Sequence, residues 1–520
     1  LGAEPVLPPI ASCLGCKSDL KEEKTVEAQL FTLHRGVLPI FAKSWYCRSC
    51  HIRYYDNYFV RNASQETAQR EYCTHEVPQF IHLTESTYVE PALCRFFTVQ
   101  MALEHGTCQG IARVYNLTLG SSDLSNGSRL SHDLTGDHVL DSFILFTLLQ
   151  DKQICREALT LLHHGYQNHR FDQAMAERNA RMAGTGQPMW AHACDHCMKL
   201  YQGEDGNWYR ITAGVHDGVN VRHLSCSVHN CQEALPTQRD FFCLSHSDQI
   251  KICCIVGCTE PAQPGFRTCT TETHRAFQTQ SEERNSAMFQ FRARLQNATI
   301  SDVPLAGALT DNPGLLAAPD TVTGSVQGGR VKGKLSRSWT HNEQLFVRCC
   351  CIIISRATMF GSEGVSGVTD FLKATFPMRY QGAFPSHIFY DNNCSLLKHL
   401  RAQDNHYFDN VGLPVDVFHF KCKHSEGDVF CQLHCNPAHF RELIGADGKW
   451  VFNSSAAEQA NVWFGKFQNV VQDMAVIKYN FFLDEMISVH NEQVALELRN
   501  QGHSPHIQPE SLLLGGYPFV

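Results

Sequence analysis

The sequence predicts an α/β fold that carries several zinc-binding clusters of cysteine and histidine. Strand and helix signals alternate from Leu345 onward, which is typical of an α/β domain. Cysteines recur in closely spaced pairs with histidines between them, and the chain has 24 Cys and 28 His among 520 residues. Three acidic residues, Asp217, Asp391 and Glu458, stand at the ends of strand-like runs or at the start of a helical one.

Changes of composition along the chain predict five segments. Residues 1–60 form a zinc-ribbon-like cysteine cluster, and residues 61–190 are mainly helical. Residues 191–297 contain the first strands of the α/β domain together with an inserted two-zinc Cys/His cluster. Residues 298–338 are rich in Gly, Ala, Pro, Ser and Thr, which predicts a flexible linker or insertion. Residues 339–520 complete the α/β domain.

Bulk properties restrict the class of protein. No apolar run reaches the ~18 residues that a membrane-spanning helix needs. Paired cysteines in a long chain fit zinc better than disulfides, which predicts a reducing compartment. The net charge of −8 argues mildly against nucleic acid as a partner, because phosphate binding draws on Lys and Arg. A local basic groove can nevertheless coexist with an acidic whole.

The first cysteine cluster lies near the amino terminus. Two Cys-x2-Cys pairs, Cys13 with Cys16 and Cys47 with Cys50, flank a strand-like stretch from Gly36 to Tyr46. Zinc takes four tetrahedral ligands, and each pair offers two thiolates from one turn. The spacing therefore predicts a structural Zn²⁺ in a zinc ribbon. The alternative is buried free cysteine, which packs well as a small apolar residue.

The central cluster has enough ligands for two zinc ions. Its eight spaced residues are Cys226 and Cys231, Cys243 and His246, Cys254 and Cys258, and Cys269 and His274. Few large apolar residues accompany them, so metal would supply much of the folding energy. The nearby Cys253 and His229 leave the choice of ligands open, and Cys194 with Cys197 either join this set or bind elsewhere. Alternating pairs also suit a cross-braced ring finger, as in ubiquitin ligases.

A third set of metal-binding side chains lies in the carboxyl-terminal segment. It consists of His419, His424, Cys431 and Cys435, with Cys422 and His434 nearby. Four such side chains suit a further Zn²⁺. The alternative is that the histidines at a strand end are simply hydrogen-bonded and packed.

The first two carboxylates each have a structural alternative. Asp217 ends a strand-like run and is followed by Gly218, and Asp-Gly is a common hairpin turn. Asp391 ends a second strand-like run and precedes a helical stretch from Ser395 to Leu400, so it also suits a helix cap. Asp416, one strand further on, is a reserve candidate for the second Asp.

Glu458 stands at the start of a predicted helix. Apolar residues with helical spacing follow it, namely Trp463, Phe467, Val470 and Met474. Ser455 and Glu458 also fit a capping box, which is the structural alternative. The order of the three acids is the stronger argument. A strand Asp, a later strand Asp and a helix-borne Glu match an enzyme that holds two Mg²⁺ ions through oxygen ligands to cleave phosphodiesters.

Several motifs together resemble one family, the Kyakuja–Dileera–Zisupton (KDZ) transposases, which are mobile-element enzymes abundant in fungi. The motifs that carry the resemblance are residues 389–394, 415–419, 423–424, 435–437, 453–459, 461–465 and 479–486. The amino-terminal Cys-x2-Cys region and the cluster from Cys226 to His274 resemble the cysteine-cluster domains associated with that family. The resemblance covers most of the chain.

The resemblance implies an RNase H-like core with a DDE-type triad of Asp217, Asp391 and Glu458. The zinc cluster would then be an insertion within the catalytic fold. The implied activity is the cutting and joining of DNA strands, with Mg²⁺ or Mn²⁺ in catalysis and Zn²⁺ in structure. The implied partners are transposon ends and target DNA, bound by a homo-oligomer in the nucleus, with phosphates contacted by Arg48, Arg53 and Arg222.

Two other functions remain open at this stage. A catalytically inactive, transposon-derived protein would bind DNA in a zinc-dependent way without magnesium-dependent cleavage. A ubiquitin ligase built on the cluster from Cys226 to His274 would have an exposed apolar groove for a partner enzyme and no cluster of carboxylates.

Overall fold

The computed structural model describes residues 4–73, 76–120, 133–202, 206–285, 322–326, 329–425 and 427–515. The strands of its amino-terminal part are β1 (Glu4–Val6), β2 (Lys21–Thr32), β3 (Gly36–Cys47), β4 (Ile52–Tyr54), β5 (Tyr58–Arg61), β6 (Gln69–Tyr72), β7 (Ile81–Thr84), β8 (Thr87–Val89) and β9 (Thr160–Leu162). The later strands are β10 (His192–Ala193), β11 (Met198–Gln202), β12 (Trp208–Val219), β13 (Leu224–Ser225), β14 (Val322–Val326), β15 (Gly329–Gly333), β16 (Ser338–Trp339), β17 (Asn342–Arg348), β18 (Ile353–Met359), β19 (His387–Phe389) and β20 (His506–Ile507).

The α-helices alternate with these strands. They are α1 (Pro91–Glu104), α2 (Cys108–Thr118), α3 (Gly136–Cys155), α4 (Asp172–Met182), α5 (Glu272–Asn285), α6 (Val365–Thr375), α7 (Asn393–Ala402), α8 (Val417–Lys423), α9 (Val429–His434), α10 (Ala456–Phe464), α11 (Gln468–Val471), α12 (Val476–Asn500) and α13 (Glu510–Leu513). None of these helices is long and apolar enough to cross a membrane. The chain is thus a mixed α/β protein, as the alternating signals predict.

The amino-terminal sheet is larger than the sequence indicates. Its strand order is β7-β8-β2-β3-β4-β5-β6-β9, with β1 added beside β3. The hairpin of β2 and β3 turns at Gly36, whose φ of 69° favours glycine and where a Cβ atom would lie 2.5 Å from the carbonyl oxygen of Leu119. The sheet continues beyond residue 60, so the mainly helical region predicted over 61–190 also contains β6 to β9. These strands have three or four residues, too few to show a clear alternating pattern.

Helices α1 to α4 connect this sheet to the carboxyl-terminal part of the chain. Helices α1 and α4 pack against α12, and Phe143 of α3 contacts Phe481 and Phe482 of α12. A buried ion pair between Arg178 and Glu485, 2.6 Å long, also joins α4 to α12. One buried core therefore extends from the helical region into the α/β domain.

The second sheet forms the centre of the α/β domain. Strands β12, β17 and β18 follow one another in antiparallel order, and β19 pairs with β12 in parallel. Residues 214 and 215 of β12 pair with both β17 and β19, so these two strands lie on opposite edges of β12. Helix α6 lies between β18 and β19, and helix α7 follows β19. The cysteine-rich segment is inserted between β12 and β17, as the sequence predicts.

The linker predicted over 298–338 differs from the structure in its second part. Residues 298–321 lie outside the described residues, whereas β14 and β15 pair as an antiparallel hairpin. A Cβ atom on Gly333 of β15 would lie 2.7 Å from Ile255 and 2.8 Å from Phe277, so glycine permits this close contact with the cysteine-rich segment. The polar, charged composition of residues 275–297 also predicts a helix; residues 275–285 belong to α5, and residues 286–297 lie outside the described part.

Candidate functional site

Asp217 lies within strand β12 and not in a turn. It pairs with Leu345 of β17, so the alternative of an Asp-Gly hairpin turn is wrong. The neighbouring Gly218 leaves room for two side chains of β17, since an added Cβ would lie 2.3 Å from Asn342 Nδ2 and 2.6 Å from Gln344 Nε2. The sheet therefore holds the backbone of Asp217 at a fixed position.

Strand register brings Asp391 beside Asp217. Val215 of β12 stands opposite Phe389 of β19, and each Asp lies two residues further along its own segment. Neighbouring strands are about 4.8 Å apart, so the two backbones remain close at this level. The residue that caps α7 is Asn392, which makes no side-chain cap hydrogen bond. The helix-cap alternative for Asp391 is therefore not supported.

Glu458 lies in the first turn of α10. The residue before the helix, Ser455, makes no side-chain cap hydrogen bond, so the capping box is not formed. The Glu458 carboxylate lies 3.4 Å from His419 Nδ1, and its side chain is 34% exposed. One turn later, Asn461 Nδ2 donates a 2.7 Å hydrogen bond to Asp217 Oδ2. Helix α10 is thus attached directly to the strand that carries Asp217.

The charges of these acids act on one another. Burial, together with the negative charges of Glu458, Asp391 and Glu363, raises the pKa of Asp217 to about 7, although the hydrogen bond from the Gly218 N–H lowers it. Such charge effects are strong only over short distances. The structure therefore brings together the three acids predicted from the sequence, and adds a fourth, Glu363.

Glu363 was missed because nothing in the sequence marks it. It lies in the loop between β18 and α6, in a Ser-Glu-Gly stretch without periodicity. Its two carboxylate oxygens accept hydrogen bonds from Tyr390 Oη at 3.0 Å and from Asn342 Nδ2 at 2.8 Å. Tyr390 directly precedes Asp391, so these bonds fix Glu363 next to the acidic site.

Three of the four acids at this site have no Lys or Arg ion-pair partner among the described residues. Among the described residues, no ion pair joins Asp217, Asp391 or Glu363 to a Lys or Arg side chain. Carboxylates that share a site repel one another unless a cation lies between them. Oxygen-only ligands of this kind suit a hard divalent cation such as Mg²⁺. The donor set therefore fits catalytic metal ions.

Asp416 and His419 border the same site. Asp416 is buried, and its Oδ1 caps helix α8 by accepting hydrogen bonds from the N–H groups of Phe418 and His419. Its Oδ2 is buried with no hydrogen-bond partner among the described residues. His419 Nδ1 lies 3.3 Å from Asp416. His419 therefore does not lie with the thiols of the predicted Cys/His set, because its ring faces the carboxylates of Asp416 and Glu458.

The amino-terminal cysteines come together as the sequence predicts. The sulfur atoms of Cys13, Cys16, Cys47 and Cys50 lie within 4.8 Å of one another. The β2–β3 hairpin joins the two pairs, which is the arrangement predicted for a zinc ribbon. Gly15 lies between the first two cysteines, and a Cβ atom there would approach Cys50 Sγ to 3.0 Å. This cluster of four cysteines suggests a structural zinc ion.

The central cluster forms two separate groups. The first contains Cys226, Cys231, Cys243 and His246, and the second contains Cys253, Cys258, Cys269 and His274. Each group takes its ligands from consecutive pairs along the chain. A ring finger interleaves its pairs, so the cross-braced alternative is not supported.

One predicted ligand of the central cluster is wrong by a single position. Cys253 and not Cys254 faces the second group, with its Sγ 3.6 Å from His274 Nδ1. The chain bends at Cys254, and of the two adjacent cysteines only Cys253 has its sulfur within the group. Burial instead raises the pKa of the Cys254 thiol to about 11.

A pair of variants tests this correction. We expect Cys253→Ser to lower the zinc content by one ion per chain, because zinc needs four ligands. We expect Cys254→Ser, the adjacent control, to keep the full zinc content. Metal analysis of the purified chains by mass spectrometry gives the count. The opposite pattern, with zinc lost only from Cys254→Ser, would contradict the placement of Cys253.

The third group differs from its prediction in composition. Cys394, His424 and Cys431 lie within 4.8 Å of one another, and Cys435 lies in the same buried cluster. Cys394 was not predicted because it belongs to helix α7, 30 residues before His424. His424 Nε2 also lies 3.0 Å from the carbonyl oxygen of Asp391, so this group touches the acidic site.

Comparisons with known families agree with the motifs. Residues 1–119 match the CxC5 like cysteine cluster associated with KDZ transposases, and residues 215–280 match the CxC6 like cysteine cluster associated with KDZ transposases. No curated protein and no solved structure matches the chain. The predicted resemblance to the KDZ family is thus confirmed. Asp217 lies inside the second matched region, whereas Asp391 and Glu458 lie outside both.

Proposed function

We propose that this chain, which carries two cysteine clusters associated with KDZ transposases, is a DDE-type DNA transposase with an RNase H-like catalytic core. Asp217, Asp391 and Glu458 are its catalytic carboxylates. The observation that carries the proposal is geometric: the parallel register of β12 and β19 sets Asp391 beside Asp217, and Asn461 of α10, the helix that bears Glu458, donates a hydrogen bond to Asp217.

The sheet supports the same assignment. In an RNase H-like core, three antiparallel strands are followed by a strand parallel to the first, and acids on these strands and on a later helix hold the metal ions. Strands β12, β17, β18 and β19 have this order and these directions. The acids stand on the first strand, at the end of the fourth strand and on α10.

In this mechanism the side chains hold and orient, and do not transfer protons. Asp217, Asp391 and Glu458 would bind two divalent cations, and Asn461 would fix the orientation of the Asp217 carboxylate through its hydrogen bond. The bound cations would supply activation of water or a 3′-hydroxyl and stabilisation of the leaving oxygen. Glu363, held by Tyr390 and Asn342, would keep the Asp391 side of the site rigid.

The zinc clusters would position DNA. The exposed Arg48 stands between two cysteines of the amino-terminal group, and Arg53 lies near it on β4. Arg222 follows strand β12 at the entrance to the central cluster. Arginines at such places contact phosphates without reading sequence. Transposon ends and target DNA are the proposed substrates, with a homo-oligomer acting in the nucleus.

Nicking of a supercoiled plasmid tests the proposal. We expect the zinc-loaded chain to nick the plasmid in Mg²⁺ or Mn²⁺ and not in buffer from which both cations are omitted. Asp391→Asn should abolish nicking, because an amide is a poor ligand for a hard cation. Asp473→Asn, a change of an exposed Asp away from the site, should leave nicking intact.

Failure to nick the plasmid would also decide between the two candidate functions. A folded, zinc-loaded chain that binds the plasmid and nicks it in neither cation would contradict the proposal. It would favour the alternative of an inactive, transposon-derived protein that binds DNA through its zinc clusters.

A further inference from the structure

Four buried side chains form a group that neither cysteine-cluster match includes. His192, Cys194, Cys197 and Cys350 are exposed by 1%, 1%, 2% and 7%. They lie between or after the matched regions, residues 1–119 and 215–280. Their ligand atoms lie within 4.8 Å of one another. The first three residues are close in sequence, whereas the fourth comes from the turn between β17 and β18.

The distances within this group fit a tetrahedral metal site. Cys194 Sγ and Cys197 Sγ are 3.6 Å apart, and Cys350 Sγ lies 3.2 Å from His192 Nε2. Tetrahedral zinc with ordinary bond lengths separates two sulfurs by about 3.8 Å and a sulfur from a nitrogen by about 3.6 Å. A disulfide would bring two sulfurs to about 2.05 Å. The spacing therefore favours a metal over a disulfide.

Backbone hydrogen bonds close the two turns that carry the cysteine ligands. The amide of Met198 donates to the carbonyl of Cys194 at 2.9 Å, which closes the Cys-x2-Cys turn. On the other side, Arg348 N donates to Ile352 O at 2.8 Å, which closes the β17–β18 turn. Within that turn Cys351 has a φ of 69°, a left-handed conformation that is uncommon for a residue with a side chain. The reversal of the chain there places Cys350 beside His192.

Few polar contacts compensate the burial of this group: besides the contacts among its own side chains, the described residues give Cys197 Sγ a 3.6 Å contact with the carbonyl oxygen of Cys194. His192 Nδ1 has no hydrogen-bond partner among the described residues, and the described contact of Nε2 is with a thiol. A buried imidazole surrounded by three sulfurs is poorly satisfied by hydrogen bonds, because thiols are weak donors and acceptors. We propose that His192, Cys194, Cys197 and Cys350 bind a structural Zn²⁺ as a Cys₃His site.

This zinc would hold the catalytic sheet together across its insertion. Strands β12 and β17 are neighbours in the sheet, but the cysteine-rich segment separates them in sequence. Cys197 precedes β11, which pairs with β12, and Cys350 follows β17. Closing a long loop carries a large entropic cost that a metal clip removes. The site would therefore fasten β11 and β12 to β17 at the end of the strand pair opposite the insertion.

The site also reaches the carboxyl-terminal segment. His192 belongs to β10, which pairs with β20, and His192 stands opposite Ile507 in that pair. One metal ion would thus connect the start of the α/β domain, its central hairpin and its last strand. None of its four ligands is one of the proposed catalytic acids, so its role is structural and does not depend on the proposed function.

Zinc content of two neighbouring variants tests the site. Cys350→Ser should lower the zinc content of the full-length chain by one ion and lower its melting temperature by several degrees. Cys351→Ser changes the next residue of the same turn and should keep the full zinc content. His192→Cys supplies a fourth thiolate and should also retain the ion. A folded Cys350→Ser chain with the full zinc content would overturn the proposal.

A second measurement needs no variant. Crystals of the native chain, measured on both sides of the zinc absorption edge, should give an anomalous peak between the four ligand atoms. The proposal would be overturned by the absence of a peak there while the amino-terminal and central groups show theirs, or by a Cys194–Cys197 disulfide. The result remains decisive even if Cys350→Ser fails to fold.

Discussion

Replacing Glu458 by Gln is expected to abolish magnesium-dependent DNA cleavage, with a loss of at least about 1,000-fold, as when one member of a catalytic unit is removed. The amide has nearly the same shape but lacks the charge that a hard cation needs. The melting temperature should remain nearly unchanged, because no capping box is formed and the side chain is partly exposed. Its contact with His419 is worth no more than about 1 kcal/mol.

Cleavage assays and thermal melts of the same preparation decide between the two roles of Glu458. Glu497→Gln, the same change at an exposed position of α12, serves as the control and should preserve both cleavage and stability. If Glu458→Gln cuts DNA at the native rate, the carboxylate of Glu458 is not a metal ligand in the reaction. A large fall in melting temperature without loss of cleavage would show a structural role.

Replacing Asp217 by Asn is expected to abolish cleavage. It is also expected to stabilise the zinc-loaded chain when Mg²⁺ and Mn²⁺ are absent. The pKa of Asp217 is raised to about 7, above its ordinary value of 3.8, because burial and neighbouring carboxylates disfavour its charge. The folded state therefore binds more protons than the unfolded state, and the native chain loses stability as pH rises towards 7. The free energy of unfolding falls by on the order of 1 kcal/mol per pH unit, and this fall levels off above pH 7.

In Asp217→Asn, the substituted side-chain amide can form a hydrogen bond with Asn461. Asn461 Oδ1 is buried without a hydrogen-bond partner among the described residues, so a flip of the Asn461 amide would accept a bond from the substituted side chain. Urea unfolding of the native chain and of Asp217→Asn measures the difference in their free energies of unfolding. The buffer contains neither EDTA nor Mg²⁺, and the pH is varied from 5.5 to 8. The advantage of the variant should grow up to about pH 7, and Mg²⁺ should stabilise only the native chain. A pH-independent difference would contradict the close grouping of the acids.

Long motifs carried most of what the sequence predicted about the site. The segments around Asp391 and Glu458 were specific enough to name both acids. The parallel register of β12 and β19 then explains why Asp217 and Asp391 lie together, although the whole cysteine-rich segment separates them in sequence. Sequence spacing alone left Asp217 open to interpretation as a turn, since Asp-Gly suits a hairpin as well as a strand.

Residues that meet only through the fold could not be predicted. Glu363 acts on Asp217 from a loop without any motif, and Cys394 joins His424 from another helix. The choice between Cys253 and Cys254 depends on how the folded backbone orients two neighbouring side chains, and the sequence of two adjacent cysteines does not indicate that orientation. Similarly, the short strands β6 to β9 owe their existence to pairing with neighbours and not to local pattern.

The most direct test of the central claim is to locate Mn²⁺ in crystals of the native chain by anomalous scattering. The carboxylate cluster is proposed to hold two divalent ions, so we expect two peaks about 3.5–4 Å apart, coordinated by Asp217, Asp391 and Glu458. Zinc at the cysteine groups serves as the internal reference, because it marks the same crystals as metal-loaded. Occupied zinc groups with no Mn²⁺ among the three carboxylates, at millimolar Mn²⁺ and pH 8, would contradict the account.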